Sequence, residues 1–186
     1  MAVPQQRPAF VTRAVEVVHD WTYARLVTRT VASPDGQEFD RTYVDSPGAV
    51  AVVALTEGDE VVLVDQYRAT IDTYLTEIPA GMRDKAGEPP EETARRELEE
   101  ETGFRAAQWR PLGRMLSTPG VSNGWVELFL ATGLSHVGAT PDGPEERSMS
   151  VVCVPFDEAV EMCVSGVLTD SKTVVGILRA ARLLGR

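Results

Sequence analysis

Cysteine is scarce in this sequence. Cys153 and Cys163 stand alone, without paired-ligand spacing, so neither a disulfide framework nor a cysteine-rich zinc site is expected and both are read as reduced core residues. Long apolar runs are absent too. None approaches the roughly 18 residues of a membrane span, and "MAVPQQRPAF" lacks the apolar stretch of a signal peptide, so the cytoplasm is the expected compartment. Positive charge is short, with Lys and Arg totalling 18 against 28 acids for a net charge of −10. That balance argues against sequence-blind binding to DNA or RNA, which relies on basic patches, and neither nucleic acid nor membrane is an expected partner. Histidine is rare as well: His19 and His136 are isolated, and neither is read as a ligand. What remains is 186 residues, 43% hydrophobic, without low-complexity tracts or internal repeats: one domain with a sizeable core and a short appended element.

The pattern along the chain is mixed. "VTRAVEVVHDWTYARLVTRTV" alternates loosely and reads as one or two strands; "SPDG" turns it, and residues 37–44 return as another. "GAVAVVAL" is a buried-strand run, and "EGDE" folds it into a hairpin with "VVLVDQY". "TYLTEIPAG" reads as one further strand. Pro89-Pro90 opens a helix that Gly103 stops. Strands over "WVELFLATGL" and "SVVCVPF" follow, then a helix over "DEAVEMCVSGVL" and an amphipathic helix over "SKTVVGILRAARLL" with Ser171 as N-cap. Strands and helices mix without a repeated βαβ unit, which indicates an α/β sandwich with a mixed sheet.

One stretch works against local physics. "RRELEEETG" places Glu97, Glu99, Glu100 and Glu101 at the end of a helix, where the macrodipole disfavours anions and like charges four apart repel. At 100° per residue, Glu97, Glu100 and Glu101 fall within about 100° of one another while Glu99 points away. Three carboxylates on one face are hard oxygen ligands of the kind Mg²⁺ or Mn²⁺ prefers. The alternative is a solvated acidic face. Arg96, off to one side, can reach back to Glu92 or Glu88 as a brace.

The run "GMRDKAGEPPEETARRELEEETGF", residues 81–104, resembles the signature of the Nudix hydrolases: Gly81, Glu88, Arg96, Glu97, Leu98, Glu100, Glu101, Gly103 and Phe104 match it. One departure is that six residues, not five, separate Gly81 from Glu88. "SPGAVAVVAL", "QYR", "EIPAG" and "STPG", with Pro119 sixteen residues past Gly103, are similar to the ADP-ribose pyrophosphatase branch. A second departure is Gly124, at a position where many branch members carry a glutamate that contacts the terminal ribose.

The resemblance implies a Nudix-type α/β/α sandwich over residues 47–186. Residues 1–46 would form N-terminal antiparallel strands exchanged between the subunits of a homodimer. It also implies metal-dependent hydrolysis of ADP-ribose to AMP and ribose 5-phosphate, with another nucleoside-diphosphate sugar as alternative substrate and a non-catalytic nucleotide sensor as the contrasting class. In that reading Mg²⁺, with Mn²⁺ as substitute, is held by Glu97, Glu100, Glu101 and the Ala80 carbonyl. Arg96 orients the glutamates and Glu88 completes the brace, while Gly81 and Gly103 are structural. The general base is expected at Glu146, then Glu145, on the loop "GPEERSM", with Glu100 as the in-helix alternative. Substrate contacts are expected at Trp21, Arg41, Arg68, Met82, Pro119 and Gly120. Arg68 would hold a phosphate or else form a surface ion pair; Trp21 would stack on the base or else pack ordinarily.

Overall fold

In this computed structural model, residues 8–140 and 147–186 are described. Backbone contacts divide the chain into two compact units. Residues through Pro47, with Thr118–Gly124, form the first; Gly48–Ser117 and Trp125–Arg186 form the second.

The first unit is a three-stranded antiparallel sheet in the order β1 (Val11–Asp20), β2 (Arg25–Ala32), β3 (Glu38–Asp45). Every residue of β1 is exposed, and Val15, Val17 and Val18 each remain about half open. The Thr118–Gly124 segment joins this unit through a Val44 N–H to Val121 carbonyl hydrogen bond of 2.8 Å and an Asn123 side chain that donates to Asp45 at 2.7 Å.

The second unit is built on a mixed sheet. Its strands are β4 (Ala49–Leu55), β5 (Glu60–Arg68), β6 (Thr73–Glu77), β7 (Ala80–Met82), β8 (Phe104–Leu116), β9 (Trp125–His136) and β10 (Ser150–Pro155). The main order is β10-β5-β4-β9-β8, with β6 beside β5 and β7 beside β4; β4 and β9 are parallel and the other pairs antiparallel.

The apolar run in β4 is continuous because both faces of the sheet are covered. Side chains alternate along a strand, so Val50, Val52 and Ala54 meet Ala94 and Leu98 of helix α1 (Pro90–Thr102), with Phe129 and Ala131. Ala51, Val53 and Leu55 face the opposite core, with Phe156 and Ala159 of α2 (Phe156–Ser165) and Ile177 and Ala180 of α3 (Ser171–Leu184). These side chains are nearly all fully buried, and each Val, Leu, Ile or Phe among them contributes about 1.5–3 kcal/mol. The result is an α/β/α arrangement around a mixed sheet.

Four local features differ from the sequence reading. "TYLTEIPAG" is two strands, β6 and β7, separated at Ile78-Pro79 and paired with different neighbours. The thirteen-residue β8 is absent from the sequence reading. The α3 N-cap is Asp170, whose carboxylate accepts from Thr173 N–H at 2.9 Å, not Ser171, the first helical residue. Cys163 is a core residue whose burial pushes its thiol up to about 11, but Cys153 is exposed on β10.

Candidate functional site

Helix α1 brings the acidic cluster to the sheet. Pro89 lies at its N-cap, Glu91 and Glu92 occupy the first turn, and Gly103 closes it in the left-handed conformation at φ 71°, its N–H donating to the Glu99 carbonyl. Ala94 and Leu98 anchor one face in the core, fully buried. That anchoring fixes the rotation of the helix and decides where each glutamate points.

Glu99 turns outward as its angle requires, but it is paired: the Arg105 guanidinium grips it with contacts of 2.7 and 3.0 Å. Glu97 and Glu101 are almost covered, at 8% and 5% exposure. Arg96 is the hub of the remaining acids. Its Nη1 lies 2.7 Å from Glu97 and 2.9 Å from Glu100, and its Nη2 lies 3.3 Å from Asp84 and 3.5 Å from Glu88. The brace to Glu88 is present, and Glu92 instead approaches Arg95 at 4.0 Å. Burial pulls the Arg96 guanidinium down, but the charges of Glu97, Glu100 and Glu88 outweigh it and hold the group well above its ordinary value. Glu88 accepts from the Thr93 hydroxyl at 2.8 Å, which holds its carboxyl below the usual range with help from Arg96.

The backbone of β7 meets this face. The Glu101 carboxylate accepts from the Ala80 N–H at 2.9 Å, and the Glu97 carboxylate lies against Gly81 so closely that a Cβ there would stand 2.0 Å from Glu97 Cδ. The donor atoms are carboxylate oxygens, Gly81 leaves a cradle for Glu97, and a cation, the Arg96 guanidinium, already bridges Glu97 and Glu100. These features fit a divalent cation. As the side chains stand, no three acidic, histidine or cysteine groups among the described residues are arranged to hold one, and Arg96 joins the glutamates instead.

Beside this face lies a charge cluster of which only Arg68 was expected from the sequence. Arg68, at the end of β5, donates Nε and Nη2 to Glu77 at 2.7 and 2.6 Å. Glu77 is 2% exposed and also receives Lys172 from α3. Burial pushes the Glu77 carboxyl up, but the Arg68 hydrogen bonds and the Lys172 charge prevail and hold it below its ordinary value. Glu77 opens the quoted "EIPAG", and its charge within an apolar stretch was the signal available.

The other expected residues fall as follows. Met82 is in β7, opposite Ala49 of β4. In the first unit, Arg41 stacks over Phe39 at 4.5 Å and lines a cleft of about 370 Å³ with Arg29, Tyr43, Pro119 and Gly120. Trp21 is 45% exposed in the turn after β1, with an edge contact to His19 at 5.2 Å, so it is not a core residue. Gly124 is tucked against Ser46, where a Cβ would approach to 3.1 Å. Glu145 and Glu146 lie outside the described residues.

Comparison with known proteins gives a consistent result. Residues 45–172 match the family described as NUDIX domain. An ADP-ribose pyrophosphatase of Mycobacterium tuberculosis is 38% identical over 169 residues, covering 91% of this chain and 82% of its own. A methanol dehydrogenase activator of Bacillus methanolicus is 36% identical over 166 residues, 89% of each chain. A crystal structure of an ADP compounds hydrolase superposes with a TM-score of 0.83 over 98% of this chain and 97% of that one; at 19% identity the likeness is one of fold.

Proposed function

The chain belongs to the Nudix family, and from that premise we propose that it hydrolyses the diphosphate bond of ADP-ribose to AMP and ribose 5-phosphate. The observation that carries the reading is the α1 face, where Glu97 and Glu101 lie against the Ala80-Gly81 backbone and the Arg96 guanidinium bridges Glu97 and Glu100.

Glu97, Glu100, Glu101 and the Ala80 carbonyl would hold Mg²⁺, with Mn²⁺ as substitute. When bound, the cation neutralises phosphate oxygens and acidifies water. The chain's own groups do the rest. Arg96 keeps Glu97 and Glu100 in register through its Nη1, and Asp84 and Glu88 hold its Nη2. Arg68 directs its free N–H groups to a phosphate. The general base takes a proton from the attacking water, whose oxygen bonds to phosphorus as the bridging oxygen departs. Glu146 and then Glu145 are assigned that role, with Glu100 the alternative on α1 itself. Trp21 and Arg41 are assigned to the base, and Met82, Pro119 and Gly120 to further substrate contacts. No described helix is long and apolar enough to cross a membrane; a cytoplasmic homodimer formed through residues 1–46 completes the reading, with a small nucleotide sugar rather than nucleic acid as partner.

Gly124 favours a second reading, hydrolysis of another nucleoside-diphosphate sugar, because it offers no carboxylate to a terminal ribose. A panel of ADP-ribose, other ADP- and GDP-sugars and nucleoside triphosphates, assayed with Mg²⁺ and Mn²⁺, separates the two. ADP-ribose is expected to give the highest kcat/KM. If several members bind and none is cleaved, the enzyme reading gives way to a nucleotide sensor.

A further inference from the structure

The geometry points to Glu77 as a positioning residue that aims Arg68 at the substrate diphosphate, with the first turn of α3 holding Glu77 in place. The inference rests on the diphosphate-hydrolase reading above and adds a residue to it.

Glu77 ends β6 three residues before Ala80, and its carboxylate is buried. Both of its oxygens take part in a fork with the Nε and Nη2 of Arg68, at 2.7 and 2.6 Å. Lys172 bonds to one of the same oxygens and stands 3.1 Å from Asp170. Asp170 in turn accepts from the Thr173 N–H at 2.9 Å and from its hydroxyl at 2.6 Å. The Thr173 hydroxyl accepts from the Ile78 N–H at 2.9 Å. Glu77 and Ile78 are therefore both bolted to the start of α3, and the chain runs from them directly into the Ala80-Gly81 backbone beneath Glu101 and Glu97.

Stability does not account for such a cluster. Removing four charged side chains from water is costly, and apolar groups of the same volume generally serve a core as well or better. What a buried charge network supplies is a fixed geometry. Here the fixed object is Arg68: its fork with Glu77 uses two of the five guanidinium N–H groups. The rest stay on a side chain that is 35% exposed and within electrostatic reach of Glu101. An arginine so held meets a diphosphate without first having to be ordered. Asp170 balances Lys172, so the four groups together are neutral; what Lys172 adds is a second hold on the Glu77 carboxylate, which fixes the plane in which the Arg68 guanidinium lies.

The test is a double-mutant cycle with wild type, Glu77→Gln, Arg68→Ala and the double variant. Steady-state kinetics on ADP-ribose with Mg²⁺ are read alongside calorimetric binding of ADP-ribose in EDTA. Glu77→Gln is expected to raise KM and Kd about tenfold while kcat stays within about threefold, the signature of lost binding shared by ground and transition states. In the Arg68→Ala background the same change is expected to add nothing, because Glu77 acts only through Arg68. An unchanged KM, or an effect of equal size in both backgrounds, overturns the inference. Should Glu77→Gln fail to fold, Lys172→Met carries the same cycle, since it loosens Glu77 without removing its carboxylate. A wild type that neither binds nor cleaves any nucleoside-diphosphate sugar sinks the hydrolase reading and this inference with it. A wild type that cleaves, with additive effects at positions 77 and 68, sinks this inference alone.

Discussion

Gly81 and the Glu97 carboxylate occupy one space: a methyl group on residue 81 would stand 2.0 Å from Glu97 Cδ and 2.2 Å from its nearer oxygen. Glycine at the end of "EIPAG" is thus a statement about Glu97. The absent side chain lets a carboxylate of the acidic helix lie flat against the β7 backbone, next to the Ala80 N–H that holds Glu101.

Gly81→Ala is expected to displace the Glu97 carboxylate by an ångström or more. A misplacement of that size at a reacting centre typically lowers turnover about 100-fold, while stability is expected to change little, because the clash is with the far end of a side chain that can shift. Steady-state kinetics and urea unfolding measure the two effects. Unaltered kcat in a folded variant would remove Glu97 from the working site.

Glu101→Gln keeps the shape of the side chain and leaves an oxygen to accept from Ala80 N–H, so the fold is expected to persist. It removes a charge from the cation face. Turnover is expected to fall by more than about 100-fold, beyond what a partner of a ligand usually costs. A ligand present at 100 times its Kd stabilises the native state by about 2.7 kcal/mol, so wild type is expected to melt higher with saturating Mg²⁺ and the variant to lose most of that increment. An equal Mg²⁺ increment in both proteins would place the cation elsewhere.

How much of this was legible in the sequence depends on whether a residue's role is local. The β4 run and the 3.6-residue spacing of Ala94, Leu98, Ile177 and Ala180 announce their elements because burial imposes the pattern. β8 went unread because it is at the edge of the sheet: its pattern buries little beyond Ala106 and Met115, and Pro111 and Gly113 interrupt it. In the site, the angles on α1 set Glu99 apart from the other three glutamates, and in the structure it pairs with Arg105 while Glu97 and Glu100 meet Arg96. The partners were not readable: Arg105 for Glu99, Asp84 for Arg96 and Lys172 for Glu77 are meetings made by tertiary structure. Glu77 and Lys172 are 95 positions apart, and no local rule connects them.

The α3 cap supplies a test with a built-in control. Asp170→Ala removes the acceptor for the Thr173 N–H and frees Lys172 from one partner. Loss of an N-cap costs about 1 kcal/mol, and the melting temperature is expected to fall accordingly. Ser171→Ala, one residue inside the helix, is expected to change it little. The reverse order would return the cap to Ser171.

Glu77 also predicts how the protein responds to acid. Burial favours its neutral form, but the Arg68 hydrogen bonds and the Lys172 charge outweigh burial and hold the folded carboxyl below its ordinary value of 4.5. Between the folded and unfolded values the unfolded chain binds more protons, so stability falls as pH falls. The contribution is fully present above the ordinary value and is lost as pH drops through the folded one. Glu77→Gln carries no titrating group there. Urea unfolding of both proteins at pH 7 and near the acid limit of the fold is expected to show a wild-type advantage at pH 7 that narrows below about pH 4.5. A gap that stays constant across that range would mean that Glu77 binds protons equally well folded and unfolded. A gap that shifts in favour of wild type as pH falls from 7 would mean that burial prevails and Glu77 is neutral in the folded protein, its fork with Arg68 an ordinary hydrogen bond rather than an ion pair.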